Sequence, residues 1–126
     1  MKRIFTLFSV LAIISSFAVL SGIDEIVVAL KSGNSTEIAK YFDNTVDINF
    51  PDKSNSYSKS QAEVVLRDFF SNNPVKSFEI LHKGENGGSQ YCIGTLTTKN
   101  AVYRTTIFMK QKVGKQTLQE IRFEDR

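Results

Sequence analysis

A second cysteine is missing from these 126 residues, and so is a second histidine. Cys92 alone cannot close an intramolecular disulfide, so a small domain built from this chain must depend on its core instead of cross-links. One cysteine and one histidine also cannot supply the usual soft ligands of a structural zinc site, and no metal or other cofactor is expected. Cys92 lies in a strand-like run, where a buried, inert thiol is expected over one that pairs between molecules. A surplus of positive charge is lacking too. Without Lys2 and Arg3 the 16 basic side chains fall to 14 against 13 acidic ones, a net charge of +1. Lysines and glutamates are interspersed, which gives no electrostatic reason to expect nucleic acid as a partner. There is no nucleophile motif, phosphate-binding glycine loop, internal repeat or low-complexity linker.

Long apolar runs are absent except at the start, "MKRIFTLFSVLAIISSFAVLSG", where Lys2 and Arg3 precede an apolar stretch closed by small residues. That order of charge, apolar run and small residues is the three-part pattern of a secretory signal, assigned here to residues 1–22. Cleavage after Ala18 or after Ser21 would each suit signal peptidase. The alternative is an uncleaved anchor, since the run approaches the roughly 20 residues a bilayer span needs; Thr6, Ser9, Ser15 and Ser16 weaken it for that purpose. Leu20, Ser21 and Gly22 are what a bacterial lipoprotein signal carries before its acylated cysteine, but Ile23 stands in that place. The expectation is an exported protein, periplasmic or secreted, that is not a lipoprotein and keeps no stable membrane anchor once the signal is removed. Residues 23–126 then form one small domain with one core.

Within that domain, "DEIVVALKSGN" places Ile26, Val27 and Leu30 on one helical stripe, with acids at its start and Lys31 near its end. Asn34 with Glu37 has the spacing of a capping box and restarts a helix; Asn34-Ser35-Thr36 also fits a glycosylation acceptor, but capping accounts for it. "TVDINFP" alternates Val46, Ile48 and Phe50 with polar residues as a half-buried strand does, and "DKSNS" reads as a polar turn. Ser58 and Gln61 open a longer helix whose stripe is Ala62, Val65, Leu66, Phe69 and Phe70. From Val75 the period becomes two, in runs near 75–83, 90–98, 101–112 and 116–124, separated by "GENGG", "KN" and "GK". The order is helix, helix, strand, helix and a four-stranded antiparallel meander, an α+β architecture with the helices on one face of a curved sheet.

The segments "IAKYFDNTVDI", "SKSQAEVVLRDFFSNNP" and "IGTLTTKNAVYRTTIFMK" together resemble the cone fold shared by nuclear transport factor 2 and ketosteroid isomerase. The resemblance runs from about Asp24 to the end. More closely, the chain is similar to a family of small exported bacterial proteins of unknown function with that fold. Such a family implies architecture and location, not an activity.

Hairpin geometry sorts the sheet. A turn at Lys99-Asn100 pairs Thr95 with Arg104 and Tyr91 with Phe108, while a turn at Gly114-Lys115 would pair Phe108 with Ile121 and Thr106 with Phe123. The more aromatic face is expected beneath the helices, so that Arg104, His82, Tyr91, Thr95 and Thr106 would line a cavity suited to a small amphiphilic or anionic ligand. Two structural alternatives stand beside this: Arg104 paired with Asp43, Asp47 or Asp68, and His82 exposed at a sheet rim. The other face carries Leu81, Leu96, Tyr103, Ile107, Met109 and Leu118, too apolar to leave wet, with Glu120 and Arg122 beside them. Relatives of this fold often pair through the outer sheet face, and a homodimer through these residues is the expectation.

Acid/base catalysis needs a positioned Asp, Glu or His in the cavity. The face assigned inward bears no acid, and His82 has no evident orienting carboxylate, so no catalytic residue is assigned. Non-catalytic binding of a small ligand ranks first. A protein-interaction module acting through the outer sheet face comes second, and an isomerase- or dehydratase-like enzyme third.

Overall fold

Helix α1 spans Gly22–Ser32 and buries Ile23, Ile26, Val27, Ala29 and Leu30, with Asp24 and Glu25 in its first turn and Lys31 in its last. The computed structural model describes residues 22–126; the expected signal, residues 1–22, lies outside the described residues except for Gly22, which opens α1. Gly33 at φ 64° ends the helix in a Schellman arrangement, in which the Asn34 amide donates to the Ala29 carbonyl (2.8 Å) and the Gly33 amide to the Leu30 carbonyl (3.2 Å). A short helix α2, Ser35–Ala39, follows at once; the Asn34 side chain accepts from the Glu37 amide (3.1 Å). The Glu37 carboxylate is bonded to Lys40 instead of reaching back to complete the box.

Strand β1, Phe42–Phe50, turns into β2, Lys53–Ser58, which pairs with it antiparallel. The polar segment read as a turn is therefore an edge strand; its serines and asparagine carry no apolar alternation to announce it, and polar composition is what an exposed edge tolerates. Helix α3, Lys59–Asn72, is capped by Ser58, whose hydroxyl accepts from the Gln61 amide, and buries Ala62, Leu66 and Phe70. Four long strands complete the chain: β3 (Val75–Asn86), β4 (Ser89–Thr98), β5 (Val102–Lys112) and β6 (Lys115–Asp125). All six form one sheet in the order β2-β1-β6-β5-β4-β3, antiparallel throughout except where β1 runs parallel to β6. Helix α1 lies over β3 and β4, and α3 over β1 and β2, with α2 joining them. The result is α+β, with helices on one face of a curved six-stranded sheet.

The pairing of β4 with β5 matches the sequence reading: Thr95 faces Arg104 and Tyr91 faces Phe108. The pairing of β5 with β6 does not. The turn falls on Val113-Gly114, with Lys112 opposite Lys115, and a register shift after Phe108 puts Ile107 opposite Ile121 and Thr105 opposite Phe123. Ile121 and Phe123 consequently share a face with Ile107 instead of Phe108, and that face is the one beneath the helices. Cys92, Leu96, Ile107, Met109, Leu118 and Ile121 are wholly buried there.

Sterics show why this face is the inner one. Phe78 of β3 lays its ring across Gly94 of β4: a Cβ at Gly94 would collide with that ring and come within 2.6 Å of the Glu79 carbonyl oxygen. β4 carries no side chain at this point, and the Phe78 ring fills the space that is left. The outer surface carries the bulkier Tyr91, Ile93 and Phe108, each only partly covered.

Candidate functional site

The five positions expected in a cavity do share a face, but it is the outer face of the sheet. Arg104 is exposed and makes no ion pair with Asp43, Asp47 or Asp68; across the sheet it stands between Thr95 and Glu124. Thr106 is opposite Ile93 and Arg122, and the Thr95 hydroxyl accepts from Arg126 (2.8 Å). His82 and Tyr91 form a structural pair. The tyrosine ring lies flat over Gly84 of the edge strand, where a Cβ would come within 2.5 Å of it, and its hydroxyl is 2.7 Å from His82 Nε2. The aromatic ring thereby covers a glycine that leaves the edge bare. The expected cavity formed by these residues does not exist in the fold.

The eight expected dimer-interface positions are scattered. Leu96, Ile107, Met109 and Leu118 are wholly buried in the chain's own core, so none can face a partner. Tyr103 is half-buried on the inner face among phenylalanine rings. Leu81 sits at the register shift of β3, 53% exposed. Glu120 and Arg122 alone lie on the outer face, bonded to each other at 3.0 Å, with Asn49 donating to the same carboxylate oxygen (2.6 Å). The inversion has one cause: both faces of β4 and β5 alternate apolar residues, and aromatic content does not distinguish the covered face.

A cleft of about 490 Å³ opens elsewhere, between α3 and the inner side of the sheet. Its residues come from the β1–β2 turn (Phe50, Pro51, Asp52, Lys53), from α3 and its cap (Val65, Asp68, Phe69, Asn72, Asn73), and from the ends of β5 and β6 (Tyr103, Asp125). The helical spacing of Val65, Phe69 and Asn72 turns all three toward the strands. Phe69 is the centre of an aromatic floor. Its ring centroid lies 5.1 Å from Phe50, 4.5 Å from Phe123 and 5.5 Å from both Phe70 and Tyr103, while Phe50 stacks on Phe123 at 5.5 Å. Phe123 and Phe70 are buried beneath; Phe50, Phe69 and Tyr103 are partly exposed at the surface of the floor.

The walls are pinned by hydrogen bonds. Asn73 caps α3 through both its amide and its side chain, each donating to the Phe69 carbonyl (2.8 and 3.0 Å). Asn100 in the β4–β5 turn donates to the Asn72 carbonyl (2.7 Å), and the Lys99 amide to the Pro74 carbonyl (2.8 Å). The helix end is thus tied to a hairpin that belongs to the sheet, which holds the cleft open. Among the described residues no group of three or more His, Cys, Asp or Glu side chains is arranged to hold a metal ion. Burial raises the Cys92 thiol above its ordinary pKa, leaving it in the unreactive protonated form.

Sequence reasoning missed this cleft. Phe69 reads as part of a helix stripe and Tyr103 as part of an interface, and Phe50–Lys53 reads as a strand end running into a polar turn. The signal available was Phe50 before Pro51, an aromatic held at a hairpin corner above the helix stripe that ends in Phe69-Phe70.

Comparison with known proteins follows the same architecture. The model of the Domain of unknown function (DUF4783) matches residues 23–124. A solved DUF4783 family protein from Bacteroides uniformis is 34% identical, with 82% of this chain and 95% of that chain covered and a TM-score of 0.79. Another from Bacteroides fragilis is 35% identical, covering 81% and 96%, with a TM-score of 0.76. An NTF2-like protein of unknown function from Cytophaga hutchinsonii is 11% identical over 86% of this chain and 91% of that one, with a TM-score of 0.61, a likeness of fold alone. No curated protein matches the chain.

Proposed function

Because the chain belongs to the DUF4783 family, whose function is unknown, and has the nuclear transport factor 2-like fold, we propose from its own geometry that the domain binds a small amphiphilic molecule without transforming it. The observation that carries this is the cleft beneath α3: about 490 Å³, floored by partly exposed aromatic rings and rimmed by polar side chains. Concave sites of that size, apolar within and polar at the rim, are the usual form of small-ligand sites. The anionic ligand that Arg104 would have held has no support here, since Arg104 is on the other side of the sheet. The protein acts outside the cytoplasm, on the strength of the charged, apolar and small segments of residues 1–22.

A second reading is favoured by the outer sheet face, where Tyr91, Ile93 and Phe108 form an apolar row bordered by Arg104, Glu120, Arg122 and Glu124. Such a face, apolar at its centre and carrying both charges at its rim, complements a second copy of itself, and the domain forms a homodimer through it.

Native mass spectrometry of the protein isolated from its own envelope tests these statements together. The expected spectrum is a dimer of signal-free chains carrying a reproducible extra mass that disappears in Val65→Arg, which fills the cleft from the helix side. A bare dimer would overturn ligand binding and leave the sheet face as the working surface. A ligand-bearing monomer would overturn the dimer, and a chain with residues 1–18 still attached would overturn signal removal.

A further inference from the structure

We infer that the occupant of the α3 cleft is a cation, a small molecule with an ammonium or guanidinium head on an apolar, preferably aromatic, body. This rests on the reading of the cleft as a ligand site and specifies its charge. Three carboxylates, Asp52, Asp68 and Asp125, line the cleft against the single ammonium of Lys53. None of the three has an ion-pair partner among the described residues, whereas on the opposite side of the sheet Asp43 and Glu120 are each paired with a cation. The backbone adds to the same field. Asn72 and Asn73 end α3 at this cleft, and the carbonyl end of a helix carries partial negative charge that favours cations.

The floor suits the same ligand. Aromatic faces attract a cation within about 6 Å of the ring centroid, and the Lys53 ammonium already lies 5.8 Å over the Phe50 ring. An incoming head group would use the neighbouring rings in the same way while its apolar body displaced water from Val65 and Phe69. An anion of equal size would meet the carboxylates and the helix end together, and a neutral molecule would gain only from the floor.

Calorimetric titration of the protein, isolated from its own envelope with the signal processed as it is in the cell and dialysed until native mass spectrometry shows no extra mass, with three probes of one shape decides this: benzyltrimethylammonium, benzyl alcohol and benzenesulfonate. The cation is expected to bind about tenfold more tightly than the alcohol, and the sulfonate weakest of all. In Asp68→Asn/Asp125→Asn, the cation should lose about fivefold or more in affinity with benzyl alcohol unchanged. Raising salt from about 0.02 to about 0.3 M should weaken the cation alone. Equal binding of the three probes, or preference for the sulfonate, would overturn the cation assignment while leaving the cleft a binding site. No binding by any probe, with Val65→Arg silent as well, would overturn both.

Discussion

The two faces of the β4–β5 hairpin are made of similar apolar content and meet opposite fates. Inward lie Cys92, Gly94, Leu96, Thr105, Ile107 and Met109, all buried; outward lie Tyr91, Ile93, Thr95, Thr106 and Phe108, none of them wholly covered. These inner residues are smaller, and the one ring on the inward side of the pair, Tyr103, stands at its end beside the α3 cleft. Helices approach a sheet most closely where side chains are short, and a ring from a neighbouring strand can then fill the remaining space, as Phe78 does over Gly94. The bulkier outer set covers the sheet's own surface, Tyr91 over Gly84 most plainly. Hydrophobicity therefore marks both faces, and size marks the covered one.

Truncation at adjacent positions breaks this comparison most directly. Leu96→Ala opens a void beneath the helices and should cost about 3 kcal/mol, whereas Thr95→Ala on the other face should cost about 0.5 kcal/mol or less. Urea denaturation of the two variants measures both. Equal losses would mean that the outer face is as closely covered as the inner, which a tight dimer through that face would produce and a monomer would not.

Legibility in the sequence followed the same division. Helix positions, caps and the β4–β5 register were readable because each rests on local chemistry: Asn34 and Ser58 as caps, Lys99-Asn100 as a turn, the stripe from Ala62 to Phe70. Edge strand β2 was not, because Lys53–Ser58 is polar on both sides and its place depends on β1. The face assignment failed because a period of two says which residues share a face and not which face is covered. The cleft was hidden for a further reason: Phe50, Phe69, Tyr103 and Asp125 come from four elements, and only their packing brings them together.

A register shift sits on each side of β6, and the two are held by different means. Between β1 and β6 the pairing slips from Phe42↔Leu118 to Asp47↔Glu120. Asp43, in the slipped segment, accepts from Lys112 (2.9 Å) and Gln119 (2.8 Å), and its own carboxylate accepts from the Asn44 amide (2.8 Å). The Lys112 hydrogen bond, followed by those of Gln119 and Asn44, holds the Asp43 carboxyl down at about 2, from an ordinary 3.8. A carboxylate whose folded-state value is depressed contributes stability that is present above the unfolded value and lost as pH falls through the folded one. Asp43→Asn should therefore cost about 1 kcal/mol near neutrality, a figure reduced from the full linkage value because Lys112 is half exposed to solvent. Denaturation curves of the two proteins should converge as pH falls from about 4 toward 2. Parallel curves would mean that the ion pair does not hold the shift.

Between β5 and β6 the slip follows a tight turn whose chemistry works against it. Val113 and Gly114 occupy the two central positions, both at positive φ, 49° and 75°. A hairpin loop of two residues with positive φ at each is the type I′ geometry, for which Asn-Gly is the favoured pair. Valine's branched Cβ crowds the backbone in that region, so the turn carries a local cost that the strands on either side must offset. This also explains why "VGK" reads as a turn one residue further along: placing Gly114 and Lys115 at the corner spares the valine, and the sequence alone does not reveal the register shift after Phe108 that rewards the other choice. Val113 is fully exposed, so replacing it touches no packing. Val113→Asn should then stabilise the fold by about 0.5 to 1 kcal/mol with no change in ligand binding or assembly. If stability instead fell, the corner would have moved to Gly114-Lys115, Ile121 would face Phe108, and β6 would turn its apolar residues toward the outer face.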